Sequence, residues 1–202
     1  PSIVNVLAVS RARFSGRVHT ACEPAVNSLP LVSLVIPAFN PRFFERALQS
    51  AVSQGYGNLE IIVCDDSRGH EIKTIVDSVS DSSGVAVRYV RNPRTLGLVG
   101  NLHVCLEQAQ GEFIKFLCDD DQLFSICVER QAQTLIDHQD VNLALAQRLF
   151  WDADDRPLPS RLQNTPLSPT CGLFKGEDLL AIFENFPVNI LGGFSNALFR
   201  RA

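Results

Sequence analysis

Between residues 31 and 121 short apolar runs alternate with stripes of apolar residues spaced three and four apart, and this alternation leaves few folds open. The first run, residues 31–36, is halted by Pro37, which has no N–H to give a central sheet, and Ala38-Phe39-Asn40-Pro41 turns away from it. Phe43, Phe44, Ala47, Leu48, Ala51 and Val52 then predict a helix from about residue 42 to 54, closed by Gly55 and Gly57. A second run, residues 59–64, ends in Asp65 and Asp66. Two strands joined by one helix through such short connections form a βαβ unit, so they pair in parallel and their tips share one edge of the sheet. The pattern continues with a helix stripe at Ile72, Ile75, Val76 and Val79, a turn at 81–84 and a strand at 85–90. A loop at 91–97, rich in proline, glycine and cations, leads to a helix stripe from Leu98 to Ala109 that ends at Gly111, and then to a fourth strand from Phe113. The reading is an α/β chain with a mostly parallel, Rossmann-like sheet.

The fourth run, Phe113-Ile114-Lys115-Phe116-Leu117-Cys118, ends in Asp119-Asp120-Asp121. Three adjacent carboxylates repel one another and cannot all be desolvated cheaply, so the site is wet or neutralised by a cation. A hard divalent ion shared with phosphate oxygens suits them, and the competing reading is a polar turn that closes a strand. Beyond the triplet the pattern loosens. A helix is expected over about 123–136, a strand over 141–150 and an exposed turn at 151–157. Residues 157–172 contain four prolines and read as a long loop, and a helix begins at Gly176 with Glu177 and Asp178 near its positive end.

With 46% apolar and 20% charged residues the chain reads as a soluble globular domain, and a net charge of -4 argues against a nucleic-acid partner. Its six cysteines form no CxxC pair and no Cys/His cluster of metal spacing, which favours buried thiols in a reducing compartment over a zinc site. No run reaches 18 apolar residues, and Arg11, Arg13 and Arg17 follow the first apolar stretch instead of preceding it, so neither a transmembrane segment nor an ordinary signal peptide is expected. The expected localisation is cytoplasmic, with any membrane association supplied by regions outside this chain.

Taken jointly, Val35-Ile36-Pro37-Ala38-Phe39-Asn40, Glu60-Ile61-Ile62-Val63-Cys64-Asp65-Asp66-Ser67, Asn101 with Gly111-Glu112, and Leu117-Cys118-Asp119-Asp120-Asp121 form a specific pattern. Over about residues 31–201 it resembles the inverting family 2 glycosyltransferases, whose nucleotide-sugar domain has the glycosyltransferase A fold. The resemblance implies three regions: an N-terminal arm or linker at 1–30, a nucleotide-sugar-binding half at 31–121 and part of an acceptor-side region at 122–202. It implies that Pro37, Ala38 and Asn40 frame the base and ribose of a nucleoside-diphosphate sugar, a UDP-sugar by expectation, and that Asp66 meets the base edge. Read singly, Pro37 and Asn40 are equally a strand-ending turn, and Asp66 the cap of the following helix. The family's motif most often reads Leu-Asp-x-Asp-Asp, whose first acid would fall on Cys118. In the register of members whose working acids are adjacent, Asp119 approaches the ribose and near phosphate while Asp120 holds Mn2+ or Mg2+, and the division of labour among Asp119, Asp120 and Asp121 stays open. Arg94 is a candidate for neutralising the diphosphate, against the reading of a solvated loop arginine.

The implied reaction is attack by an acceptor hydroxyl on the anomeric carbon with departure of a nucleoside diphosphate. The family's base is the Asp of a later acidic pair, downstream of a segment like Gly192-Gly193-Phe194-Ser195-Asn196, so it is expected beyond Ala202 and the present residues are expected to bind donor better than they turn it over. Glu177-Asp178 falls before that segment and is assigned to the helix start. Two other classes fit part of the pattern: a noncatalytic nucleotide-sugar-binding module, and another metal-dependent nucleotide-using transferase. The second should carry a glycine-rich phosphate loop after its first strand, where this chain has Pro37-Ala38-Phe39-Asn40-Pro41.

Overall fold

The computed structural model describes residues 6–10, 29–152, 156–158, 172–185 and 192–201. Among the described residues eight strands make one mixed sheet: β1 (Val6–Ser10), β2 (Val32–Ala38), β3 (Leu59–Asp65), β4 (Val87–Arg91), β5 (Phe113–Phe116), β6 (Val141–Ala146), β7 (Gly172–Lys175) and β8 (Ala197–Arg200). Their order is β4-β3-β2-β5-β8-β6-β1-β7. The nucleotide-fold half is wholly parallel, with Ala38 opposite Asp65, Asp65 opposite Arg91 and Val35 opposite Phe116. The tips of β2, β3, β4 and β5 therefore share one edge, as the short crossovers require. Beyond β5 the pairing becomes antiparallel through β8, β6 and β1, and turns parallel again between β1 and β7.

Five helices among the described residues flank the sheet: α1 (Pro41–Val52), α2 (Glu71–Ser83), α3 (Gly97–Gln108), α4 (Cys127–Asp137) and α5 (Gly176–Asn185). The alternation of β2 explains its two-sided burial. Val32, Leu34 and Ile36 pack with Phe44, Ala47 and Leu48 of α1, Ile72 and Val76 of α2, and Val128 and Ala132 of α4. Val35 faces the other way with Ile62, Cys64, Ile114 and Phe116, under Cys105 of α3 and Ala109. Among the described residues α3 is the helix packed on that second face; its buried residues are Asn101 and Cys105, so a polar anchor, Asn101, holds it there.

The structure corrects the sequence reading in several places. The apolar piece near the N-terminus, read as part of an arm, contributes β1 between β6 and β7. Strand β6 stops at Ala146, not residue 150, and α4 starts at Cys127 because residues 117–126 are spent on the acidic loop. Gly172–Lys175, at the end of the expected loop, is a strand, and Ala197–Arg200 inserts as β8 along β5. Such four-residue strands carry too little periodicity to announce themselves; their partners, distant in sequence, make them. Most of the expected loop at 157–172 lies outside the described residues. The acids Glu177 and Asp178 do sit in the first turn of α5.

Gly111 marks the closest approach of the α3–β5 turn to the sheet. A Cβ there would lie 2.6 Å from the Ser33 N and 2.7 Å from the Leu31 carbonyl oxygen, both main-chain atoms that cannot rotate away. The Gly111 N–H also donates to Ser33 Oγ at 2.7 Å. Gly111→Ala is expected to destabilise the chain by ~1–3 kcal/mol through this overpacking, measured as a lower urea midpoint with an unchanged slope.

Candidate functional site

At the tip of β3 two adjacent acids do different work. Asp65 is fully buried and accepts from the Tyr89 hydroxyl at 2.5 Å, Arg91 Nη1 at 2.9 Å and the Ser67 N–H at 2.8 Å, which ties β3 to β4. Burial first, and the bond to Asp65 second, push the Tyr89 phenol above its usual pKa. Asp66, 3% exposed, turns toward α3: Oδ1 accepts from Leu96 N at 2.8 Å and Oδ2 from Gly97 N at 2.9 Å. A carboxylate there satisfies orphan amides and opposes the positive end of the helix dipole. Asn92 Nδ2 also donates to Asp66 Oδ1 and is shared with Asn101 Oδ1, while Asn101 Nδ2 donates to the Cys64 carbonyl. The capping alternative for Asp66 is thus present, but on α3 and not on α2, the helix that follows it in sequence. Arg94 is exposed in the same β4–α3 loop.

The β2–α1 turn connects this corner to the acidic triplet. Asp66 N donates to the Ala38 carbonyl at 2.9 Å, and one oxygen of Asp119 accepts from both Phe39 N and Asn40 N at 2.7 Å. Asn40 caps α1, its Oδ1 accepting from Arg42 N at 3.0 Å, with Pro41 opening the helix. The structure accordingly brings Ala38, Asn40, Asp66 and Asp119 together through bonds to the main chain, and Pro37, expected to halt the first strand, is instead buried inside β2 opposite Cys64.

Asp120 and Asp121 face away from that clamp. Ligand atoms of Cys118, Asp120 and Asp121 all lie within 4.8 Å of one another. Two carboxylates at this spacing fit a hard divalent ion. The thiol fits less well: burial pushes Cys118 up to about 11, and the three neighbouring aspartates add to the rise, so it stays protonated at neutral pH. Asp121 is held by Ser195, whose hydroxyl donates to Oδ2 at 2.6 Å and accepts from Cys118 N at 2.9 Å. The Ser195 carbonyl in turn takes a bond from Lys115 Nζ at 2.6 Å, and Lys115 also donates to Gln131 Oε1. Burial pulls the Lys115 ammonium below its usual pKa, and burial raises Asp121.

Asp120 and Asp121 form one wall of a cleft of about 780 Å³. Arg42, Phe43 and Arg46 of α1 line it, with Phe124, the segment from Ala146 to Asp152, Ser195 and Asn196. Pro37, Ala38, Asp66 and Arg94 are not in its lining. Sequence reasoning missed Lys115, Gln131, Arg148 and the role of Ser195. A lysine inside an apolar strand was the one visible signal, since a buried ammonium demands acceptors.

Two outcomes check this geometry. Ser195→Ala should lower stability by ~1–3 kcal/mol, because it strands the Cys118 N–H and removes the donor to Asp121, read by urea unfolding. The raised thiol pKa predicts that Cys118 reacts with iodoacetamide at pH 8 about 10²-fold more slowly than free cysteine, followed by peptide-resolved mass spectrometry.

Comparisons with known proteins bear on the same region. The chain matches Glycosyl transferase family 2 over residues 33–202. It is 35% identical over 98 residues to the Campylobacter jejuni GalNAc(5)-diNAcBac-PP-undecaprenol beta-1,3-glucosyltransferase, covering 48% of this chain and 32% of that protein. It is 33% identical over 104 residues to the Escherichia coli UDP-Glc:alpha-D-GlcNAc-diphosphoundecaprenol beta-1,3-glucosyltransferase WfaP, covering 51% of this chain and 40% of that one. The chain thus spans well under half the length of these relatives. Among solved structures, S. aureus TarS in complex with UDP superposes with a TM-score of 0.54 at 20% identity, over 67% of this chain and 40% of that one. The Pyrobaculum calidifontis mannosyltransferase PcManGT, in complex with GDP-Man and Mn2+, gives 0.53 at 21% identity, over 60% and 36%. These likenesses show the glycosyltransferase A fold. With parallel strand tips delivering the acids to one edge and the family match spanning nearly all of the sheet, the chain belongs to glycosyl transferase family 2.

Proposed function

We propose that this chain carries the donor-binding part of an enzyme that moves a sugar, with inversion, from a nucleoside-diphosphate sugar to an acceptor hydroxyl. The observation that carries the reading is the meeting of Asp66, Asp119, Asp120 and Asp121 at the shared edge of β2, β3 and β5. Pro37, Ala38, Asn40 and Asp66 would frame the base and ribose, for which uridine is the choice suggested by the UDP complex of TarS. Asp119 would face the ribose and near phosphate from its clamp on the turn, and Arg94 would swing from its exposed loop onto the diphosphate. Asp120 and Asp121 are the residues that would hold Mn2+ or Mg2+, as the Mn2+ complex of PcManGT suggests. A divalent ion bound there offsets the negative charge that grows on the departing nucleoside diphosphate. Inversion requires the acceptor hydroxyl to approach from the side opposite that leaving group, which assigns the acceptor to the neighbouring cleft. Both glucosyltransferase relatives are named for undecaprenol diphosphate-linked substrates, and we assign this chain an acceptor sugar of the same lipid-linked kind, met at the cytoplasmic face of a membrane. Among the described residues no helix is long and apolar enough to cross one.

Calorimetric titration tests the donor side. UDP is expected to bind with Mn2+ present and at least about tenfold more weakly without it, and Asp120→Ala should reproduce the metal-free affinity. Equal affinity in all three conditions rules out the metal role.

A further inference from the structure

Three arginines from two separate elements share the cleft beside the acidic loop. Arg42 and Arg46 stand four residues apart on α1 and therefore on one face, and Arg148 follows β6 on the other side. Two of them lie over aromatic rings: the Arg42 guanidinium carbon is 4.9 Å from the Phe43 ring centre and that of Arg148 is 5.2 Å from Phe150. A ring under a guanidinium takes its flat face and leaves the in-plane N–H fork as the hydrogen-bonding edge, which matches the paired oxygens of a phosphate.

The charges of the lining are balanced only while no cation is bound. Arg42, Arg46 and Arg148 oppose Asp120, Asp121 and Asp152. Asp152 is occupied in its own turn, Oδ1 accepting from Arg156 N at 2.9 Å. Arg148 lies within electrostatic reach of Asp121, so an ion that offsets Asp120 and Asp121 leaves the charge of Arg148, with that of Arg42 and Arg46, to an anionic ligand. The same cleft is rimmed by large apolar side chains that stay in water: Phe124 at 43%, Leu149 at 53% and Trp151 at 52% exposure. Cations beside an exposed apolar rim match an amphiphile with a phosphate head and a hydrocarbon tail better than they match a neutral sugar.

We propose that Arg42, Arg46 and Arg148 form a subsite for the diphosphate of a lipid-linked acceptor, with Phe124, Leu149 and Trp151 as the platform for the first part of its hydrocarbon chain. The inference rests on the donor–acceptor reading above and names the residues that read the acceptor. It assigns the acceptor's diphosphate to the arginines and the donor's diphosphate to the ion on Asp120 and Asp121, two walls of one cleft.

Trp151 is the only tryptophan in the chain and lines the cleft, so its fluorescence reports occupancy directly. Farnesyl diphosphate is the probe, titrated into the chain with Mn2+ present. The expected result is a saturable change in Trp151 emission whose midpoint rises at least about tenfold in Arg42→Gln/Arg46→Gln, both surface positions, and again in Arg148→Gln. UDP affinity, measured calorimetrically on the same proteins, is expected to stay unchanged. Loss of UDP and farnesyl diphosphate binding together in Arg42→Gln/Arg46→Gln would overturn the proposal, because the arginines would then serve the donor. Inorganic pyrophosphate binding as tightly as farnesyl diphosphate would overturn the lipid platform, and equal arginine-dependent binding to phosphatidylglycerol vesicles would make the patch a general membrane contact instead. Farnesyl diphosphate binding with no UDP binding would leave this subsite standing while the donor assignment fell.

Discussion

A lysine with no access to water stands at the centre of β5, and the site half of the molecule is arranged around satisfying it. Lys115 is fully buried, and an ammonium taken from water costs several kcal/mol unless acceptors replace the solvent. Gln131 on α4 and the carbonyl of Ser195 supply them. Gln131 is then fully used, since its amide nitrogen donates to the carbonyls of Ala144 on β6 and Asn196 before β8. One buried cation thus draws a helix and two antiparallel strands onto the end of the parallel sheet. The same contact sets the position of Ser195, whose hydroxyl reaches out of the core to Asp121. The acid at the surface and the charge in the core are two ends of a single hydrogen-bonded chain.

The other carboxylates show why this architecture can hold so much negative charge at one edge. Asp65, Asp66 and Asp119 each accept at least two hydrogen bonds, mostly from main-chain amides or from Arg91 and Tyr89. Such bonds replace the water that a cluster of this kind would otherwise need. Among the described residues of this edge, Asp120 and Asp121 remain exposed as a pair with ligand atoms close together. Hydrogen-bonded and exposed carboxylates therefore sit side by side in one motif, and a turn or cap role for one residue leaves its neighbour open to a ligand.

The parallel half was legible because its signals are local: each strand is an unbroken apolar run, each helix a clear stripe, and each crossover is short. The strand-tip acids were legible for the same reason. The antiparallel half was not, since Val6–Ser10, Gly172–Lys175 and Ala197–Arg200 are strands chiefly by virtue of neighbours far away in sequence. Arg42 and Arg46 carry no signal in the sequence beyond a place on a helix, and only the return of the chain after β6 puts Arg148 in the same cleft. Asp66 capping α3 was equally hidden, because the helix it serves begins some thirty residues downstream and is reached only through the sheet.

The clamp of Asp119 on the β2–α1 turn has an evolutionary consequence. Its two bonds go to the main-chain amides of residues 39 and 40, not to their side chains, and Phe39 is left largely in solvent. Position 39 can therefore drift through many residue types while the turn keeps its place, proline being barred because it has no amide hydrogen to offer. A lineage can explore new chemistry beside these acids at little risk to folding, with variation confined to a side chain that the scaffold does not need.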